Sequence, residues 1–186
     1  MTLEEVKNII EEERQLYVPQ QFRRMKHSHQ KRYLIWKTIA SFRLWQYWQS
    51  QRARTDMGRL QWYHTKLSAL YYFRQRNLYT EKSGVEISNR SVLGRRLNVW
   101  HGGVVISGHL GDDCVIHGNN IIGNKGDRGG KTPVLGDRVD VGAGAVVIGG
   151  ISVADDCVIG ANAVVNKDFK EKGSLIVGVP AYVKGK

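Results

Sequence analysis

PVLGDR-VDVGAG-AVVIGG-ISVADD-CVIGAN-AVVNKD, residues 133–168, divides without remainder into six blocks of six. The third residue of each block is Leu135, Val141, Val147, Val153, Ile159 or Val165, always aliphatic. A helix of 3.6 residues per turn would scatter positions six apart around its circumference, whereas a six-residue side of a prism stacks them in one column. The first residues, Pro133, Val139, Ala145, Ile151, Cys157 and Ala163, are mostly small, as a tight inward corner requires. The same period runs upstream through Ile87, Leu93 and Val99, then through Val104, Leu110, Ile116 and Ile122 in a frame shifted by one. The shift predicts a local irregularity at Trp100 to Gly103. Residues 123–132, Gly-Asn-Lys-Gly-Asp-Arg-Gly-Gly-Lys-Thr, break the period and read as a loop leaving the prism. From about residue 83 the chain is therefore expected to be a parallel β-helix, mainly β in class. Each coil buries its aliphatic stack only against its neighbours, so both ends need covering. The helical half is expected at one end and Gly178-Val179-Pro180-Ala181 at the other.

Composition changes near residue 83. Residues 1–82 hold one glycine, Gly58, and every tryptophan except Trp100. Leu3, Val6, Ile9 and Ile10 recur at helical spacing before Pro19, and two further helices are expected at roughly 29–52 and 57–76, broken near Thr55, Asp56 and Gly58, where an N-cap can start the second. This N-terminal α-helical extension is basic. Between Arg23 and Arg76 there are thirteen Lys or Arg and one acid, Asp56, interleaved with aromatics. Three readings fit: a solvated basic face with inward aromatics, a peripheral surface for anionic membrane lipid or a polyanionic glycan, or a nucleic-acid surface. No recognition motif accompanies the charge, so nucleic acid is not expected.

Over the whole chain 28 Lys and Arg face 17 Asp and Glu, a net charge of +11 that suits an anionic partner or cofactor. Cys114 and Cys157 stand in matching Asp-Asp-Cys-Val-Ile contexts, which reads as a small buried side chain in a repeat; a disulfide framework or metal site is not expected. The acidic N-terminus lacks an apolar signal core and no apolar run reaches the ~20 residues of a membrane span, so a cytoplasmic location, with the inner membrane face open, is expected.

The hexads resemble the left-handed β-helix of hexapeptide acyltransferases, which implies a left-handed coil, acyl transfer and a homotrimer. For acetyl transfer to a hydroxyl a base must take the alcohol proton. His101, in Trp-His-Gly-Gly-Val-Val-Ile at the irregular corner, is the best candidate. His27, His29 and His64 lie in the basic half, and His109 and His117 fall on regular rungs where they fill or decorate a coil. Glu86 precedes His101 by fifteen residues, close to one turn of an eighteen-residue coil, and a carboxylate there can hold the imidazole in its working tautomer. Glu86 can equally be a solvated residue at the entry to the first coil.

Residues 84–183 resemble the catalytic domain of serine O-acetyltransferases and their polysaccharide-locus relatives. In that family an acid precedes the catalytic histidine by the same interval, and Gly-Ala-Gly-Ala, Gly-Ala and Gly-Val-Pro-Ala segments match residues 142–145, 160–161 and 178–181. The resemblance implies acetyl-CoA as cosubstrate, without a metal, in a groove lined by Ala143, Gly144 and Ala161, with Gly123 and Asn124 at the start of the loop. Lys125, Arg128, Lys131, Lys167 and Lys184 are then candidates for the CoA phosphates. Two departures bear on the acceptor: Trp100 stands where the family has an aspartate before the histidine, and Arg128 is followed by Gly129 rather than histidine. Trp100 and Arg128 are accordingly assigned to the acceptor. The expected activity is O-acetylation of a sugar hydroxyl in a capsular, O-antigen or related polysaccharide. Serine O-acetylation and a non-catalytic trimeric scaffold are the alternatives.

Overall fold

The computed structural model describes residues 1–18, 30–126 and 130–185. Pro19, His27, His29 and Arg128, singled out above, lie outside them. The described chain forms two compact units, Met1–Gly84 and Val85–Lys186.

The first unit is three helices. Helix α1 (Leu3–Tyr17) begins at a capping box in which Thr2 Oγ1 accepts from the Glu5 amide at 3.2 Å while Glu5 accepts from the Thr2 amide at 2.7 Å. Helices α2 (Gln30–Arg52) and α3 (Arg59–Ser83) pair, with Thr38 Oγ1 2.9 Å from Ser83 Oγ. Helix α3 runs on past residue 76 until Gly84, whose left-handed φ of 71° stops it and whose amide bonds the Thr80 carbonyl. Its N-cap is Gly58, without a side-chain hydrogen bond; Asp56 is taken up instead by Arg54 at 2.7 Å.

Part of the basic charge is interior. Arg43 meets the fully buried Glu13 through two hydrogen bonds of 2.9 and 2.6 Å, and the Arg76 guanidinium lies 4.6 Å from the Trp45 ring centre and 5.1 Å from that of Phe73. Burial lowers the Arg76 pKa from its usual value. On α3, by contrast, Leu60, Tyr63, Leu67, Leu70 and Tyr71 are exposed. No described helix is long and apolar enough to cross a membrane.

The second unit is a three-sided parallel β-solenoid of about five turns. Its first side carries β1 (Val85–Ile87), β4 (Val104–Ile106), β7 (Ile121–Gly123), β10 (Val146–Ile148) and β13 (Val164–Val165). The second carries β2 (Val92–Leu93), β5 (His109–Leu110), β8 (Val134–Leu135) and β11 (Ser152–Val153). The third carries β3 (Asn98–Val99), β6 (Val115–Ile116), β9 (Asp140–Val141), β12 (Val158–Ile159), β14 (Leu175–Val177) and an antiparallel β15 (Tyr182–Val183). The inward columns are Ile87, Ile106, Ile122, Val147 and Val165 on the first side, and Val99, Ile116, Val141, Ile159 and Ile176 on the third, all buried.

One detail corrects the sequence frame. Val104 stacks on Val85 at the start of a side, and Ile106 is the residue that stacks on Ile87. Cys114 and Cys157 are buried, unpaired thiols; burial pushes the Cys114 thiol up to about 11.

The corner between the second and third sides is held by charge. Arg96, Asp113, Arg138 and Asp156 all adopt left-handed backbone there, with φ of 54° to 58°, and join as Arg96 with Asp113 and Arg138 with Asp156, Lys172 closing on Asp156 at 3.1 Å. Beside them Asp112, Asp137 and Asp155 each accept a backbone amide from the coil before, at 2.7, 2.8 and 3.0 Å.

Candidate active site

The corner between the third and first sides is where the repeat is at fault. Three coils turn it in three residues: His117 to Asn119, Gly142 to Gly144, and Gly160 to Asn162, each ending on a left-handed residue. The first coil takes four, Trp100 to Gly103, and also ends left-handed, with φ of 74° at Gly103. The extra residue bulges the chain, and His101, at the bulge, is exposed. An inserted residue in a stacked ladder re-aims a side chain outward, as a β-bulge does.

The coil beneath is shaped to receive it. Gly118 lies under His101, and a Cβ there would fall 2.7 Å from that of His101. Asn120, fully buried, fixes the turn below: its Oδ1 accepts the Gly118 amide at 2.8 Å, and its Nδ2 donates to the carbonyls of Gly142 at 2.7 Å and Ala145 at 3.2 Å. The Gly118 carbonyl accepts the Gly144 amide at 2.9 Å.

Trp100 is 43% exposed beside His101. Its ring lies 4.9 Å from that of His117, tilted by 35°, and His117 Nε2 is 2.9 Å from Asp140 Oδ1. His117 is thus part of the same corner as His101. Sequence reasoning assigned it to filling or decorating a coil, and Asp140 was not considered.

Glu86 is exposed on the outward face of β1, opposite Val105 in register. Among the described residues no hydrogen bond joins it to His101. Glu86 therefore stands on β1, beside the strand β4 that follows the His101 corner.

Ala143 and Ala161 are exposed one and two coils below Gly118 on this corner. Gly144, with φ of 72°, has its Cβ position filled by Asn162 Oδ1, so the packing of the coils demands glycine there before any ligand does. Gly123 and Asn124 stand apart, at the far end of the first side, where Gly123 pairs with Ile148 and its carbonyl accepts the Gly149 amide. The two described ends of the loop fold back there: the side chains of Lys125 and Lys131 lie over Gly149 and Gly150. Among the described residues no group of three or more His, Cys, Asp or Glu is gathered to hold a metal ion.

No family model and no curated protein matches this sequence. Solved structures do. A truncated apoenzyme of serine acetyltransferase superposes with a TM-score of 0.64 at 26% identity, over 80% of this chain and 57% of that one. A serine acetyltransferase in complex with CoA gives 0.61 at 25%, over 80% and 56%. The serine acetyltransferase of Neisseria gonorrhoeae gives 0.70 at 24%, over 98% and 68%. The chain thus spans little more than half the length of the first two. It has the β-solenoid fold of the hexapeptide-repeat acyltransferases.

Proposed function

We propose that this chain transfers acetyl from acetyl-CoA to a hydroxyl of a sugar in a capsular, O-antigen or related polysaccharide, with His101 as general base. The observation that carries the reading is the four-residue corner. Only there does the column depart from three residues, and the departure presents an imidazole to solvent beside a half-exposed indole. His101 takes the acceptor's hydroxyl proton as its oxygen attacks the thioester carbonyl carbon. The tetrahedral intermediate collapses with cleavage of the carbon–sulfur bond, and the imidazolium returns the proton to the CoA thiolate. Glu86 favours the imidazolium from the adjoining strand.

Acetyl-CoA use is supported by the CoA complex among the structural relatives. In the proposed arrangement the cosubstrate lies along the corner column of Ala143, Gly144 and Ala161, in a groove completed by a neighbouring copy in a homotrimer. The Gly123–Asn124 end of the loop then belongs to that neighbour's side of the groove. Exposed apolar residues on α3, among Arg59, Lys66 and Arg74, support peripheral contact of the helical unit with an anionic membrane or glycan.

Serine remains the competing acceptor, because the superposed enzymes are serine acetyltransferases. Against it stands Trp100, whose broad apolar face suits a sugar ring better than a small zwitterion. Steady-state thioester consumption with a panel of glycans and with L-serine tests the choice. Turnover of a glycan is the expected result, and efficient turnover of serine alone overturns it.

A further inference from the structure

Trp100, His117 and Asp140 descend one face of the solenoid on three successive coils. Trp100 follows Val99 and His117 follows Ile116, residues paired in register, so the two rings face each other across one coil spacing. The next residue in that column is Gly142, which has no side chain and no room for one, since a Cβ there would meet the Ala161 amide at 2.6 Å. The imidazole therefore has nothing below it in its own column. It reaches Asp140, whose register partner is Val115, with Nε2 2.9 Å from Oδ1. A carboxylate holds an imidazole, and the imidazole braces an indole.

This differs from the packing of a core. All three side chains keep contact with solvent: Trp100 is 43% exposed, the His117 side chain 31% and the Asp140 side chain 41%. An exposed tryptophan held in one orientation by a hydrogen-bonded neighbour offers a flat apolar face at low ordering cost. A carboxylate and an imidazole at its edge supply an acceptor and a donor for hydroxyl groups. A flat apolar wall with polar groups at its rim matches a pyranose ring, which is apolar on its faces and hydroxylated round its edge.

We propose that Trp100, His117 and Asp140 form an acceptor platform that takes one pyranose ring next to His101. Trp100 and Asp140 touch the sugar, and His117 is a positioning residue that holds the indole. The proposal rests on the reading of His101 as the base of a sugar acetyltransferase. It adds to that reading the specific residues that choose the acceptor.

The test pairs binding with kinetics on the full chain. Binding is followed by saturation-transfer NMR with methyl glycosides of glucose, galactose, mannose and N-acetylglucosamine as probes, and L-serine as comparator. Turnover of acetyl-CoA is followed with whichever probe binds. In Trp100→Ala the dissociation constant and KM for the glycoside should rise about tenfold, the size of one lost aromatic contact. Asp140→Asn should raise them several-fold. His117→Phe, which keeps a ring under Trp100 without the bond to Asp140, should fall between wild type and His117→Ala. The acetyl-CoA KM should stay within about twofold in all of them, which separates a platform from general loss of structure.

Unchanged glycoside binding and KM in both Trp100→Ala and Asp140→Asn would overturn the platform. A collapse of kcat at constant KM in the His117 variants would overturn the positioning role and make His117 the base. Wild-type turnover with L-serine and with none of the glycosides leaves acetyl transfer standing and removes the platform. Failure to consume acetyl-CoA with any acceptor removes the underlying reading as well.

Discussion

His101 rests on Gly118: one coil below, the only side chain that fits is a hydrogen, because a methyl group there would lie 2.7 Å from the His101 Cβ. Gly118 also has φ of 132°, outside the range that L side chains favour. Gly118→Ala should therefore displace the imidazole without removing it. Turnover is expected to fall about 100-fold, the cost of misplacing a catalytic group by about 1 Å, with a lowered melting temperature. Full activity in this variant, measured alongside thermal melting, would mean that the support of His101 does not matter to the reaction.

The charged corner makes a prediction about acid. Hydrogen bonds from Arg138 and then Lys172 hold the Asp156 carboxyl at about 2, and Arg96 lowers that of Asp113. A folded-state value below the unfolded one, about 4, stabilises the fold above pH 4, and the benefit fades as pH falls through the folded value. The slope of stability against pH between about 4 and 2 should thus flatten in Arg138→Gln, with little change in slope above pH 5. Urea unfolding at a series of pH values reads this, and an unchanged acid limb would show that the ladder is neutral to stability.

In the helical unit, Glu13 is fully buried and answered by Arg43. Arg43→Met would take both guanidinium hydrogen bonds from a buried carboxylate and should cost about 3 to 5 kcal/mol, whereas Arg43→Met with Glu13→Leu should recover most of it. Denaturant melts of the two variants check the order. A double variant no more stable than the single one would contradict it.

The solenoid was legible because stacking demands the same residue type every six positions, and Leu135 to Val165 obey without exception. An irregularity near Trp100 to Gly103 was legible too, since Leu110 and Ile116 come one residue earlier than a regular coil after Leu93 and Val99 would put them. Its local geometry was not. A shift by one between Val99 and Leu110 is met by lengthening one corner and shortening the next, so that Val104 and Ile106 are both buried and it is Ile106 that continues the Ile87 column. Helix α3 outran its expected end because Asn77 to Ser83 offers no stop signal before Gly84. The His117–Asp140 pair was hidden by the loop after Gly123. That excursion separates residues of adjacent coils by more than one regular turn, so counting by eighteen never brings them together. The spacing of Glu86 from His101 was legible as well, and the register adds that Glu86 is opposite Val105, on the strand adjoining the one that follows His101.

Among the site residues, the Gly-Ala corners are small for more than one cause. Gly144 is required by Asn162 of the next coil. Ala143 and Ala161, which are exposed, carry the argument for a ligand groove.

The central claim is that His101 removes the acceptor's proton, and His101→Ala tests it most directly. Acetyl-CoA consumption should be measured with the acceptor that the wild-type chain turns over, at saturating concentrations of both substrates and with folding checked by thermal melting. General-base removal should lower kcat by about 100-fold to 10,000-fold while leaving the acetyl-CoA KM nearly unchanged. A folded His101→Ala protein that retains near wild-type kcat would contradict the account.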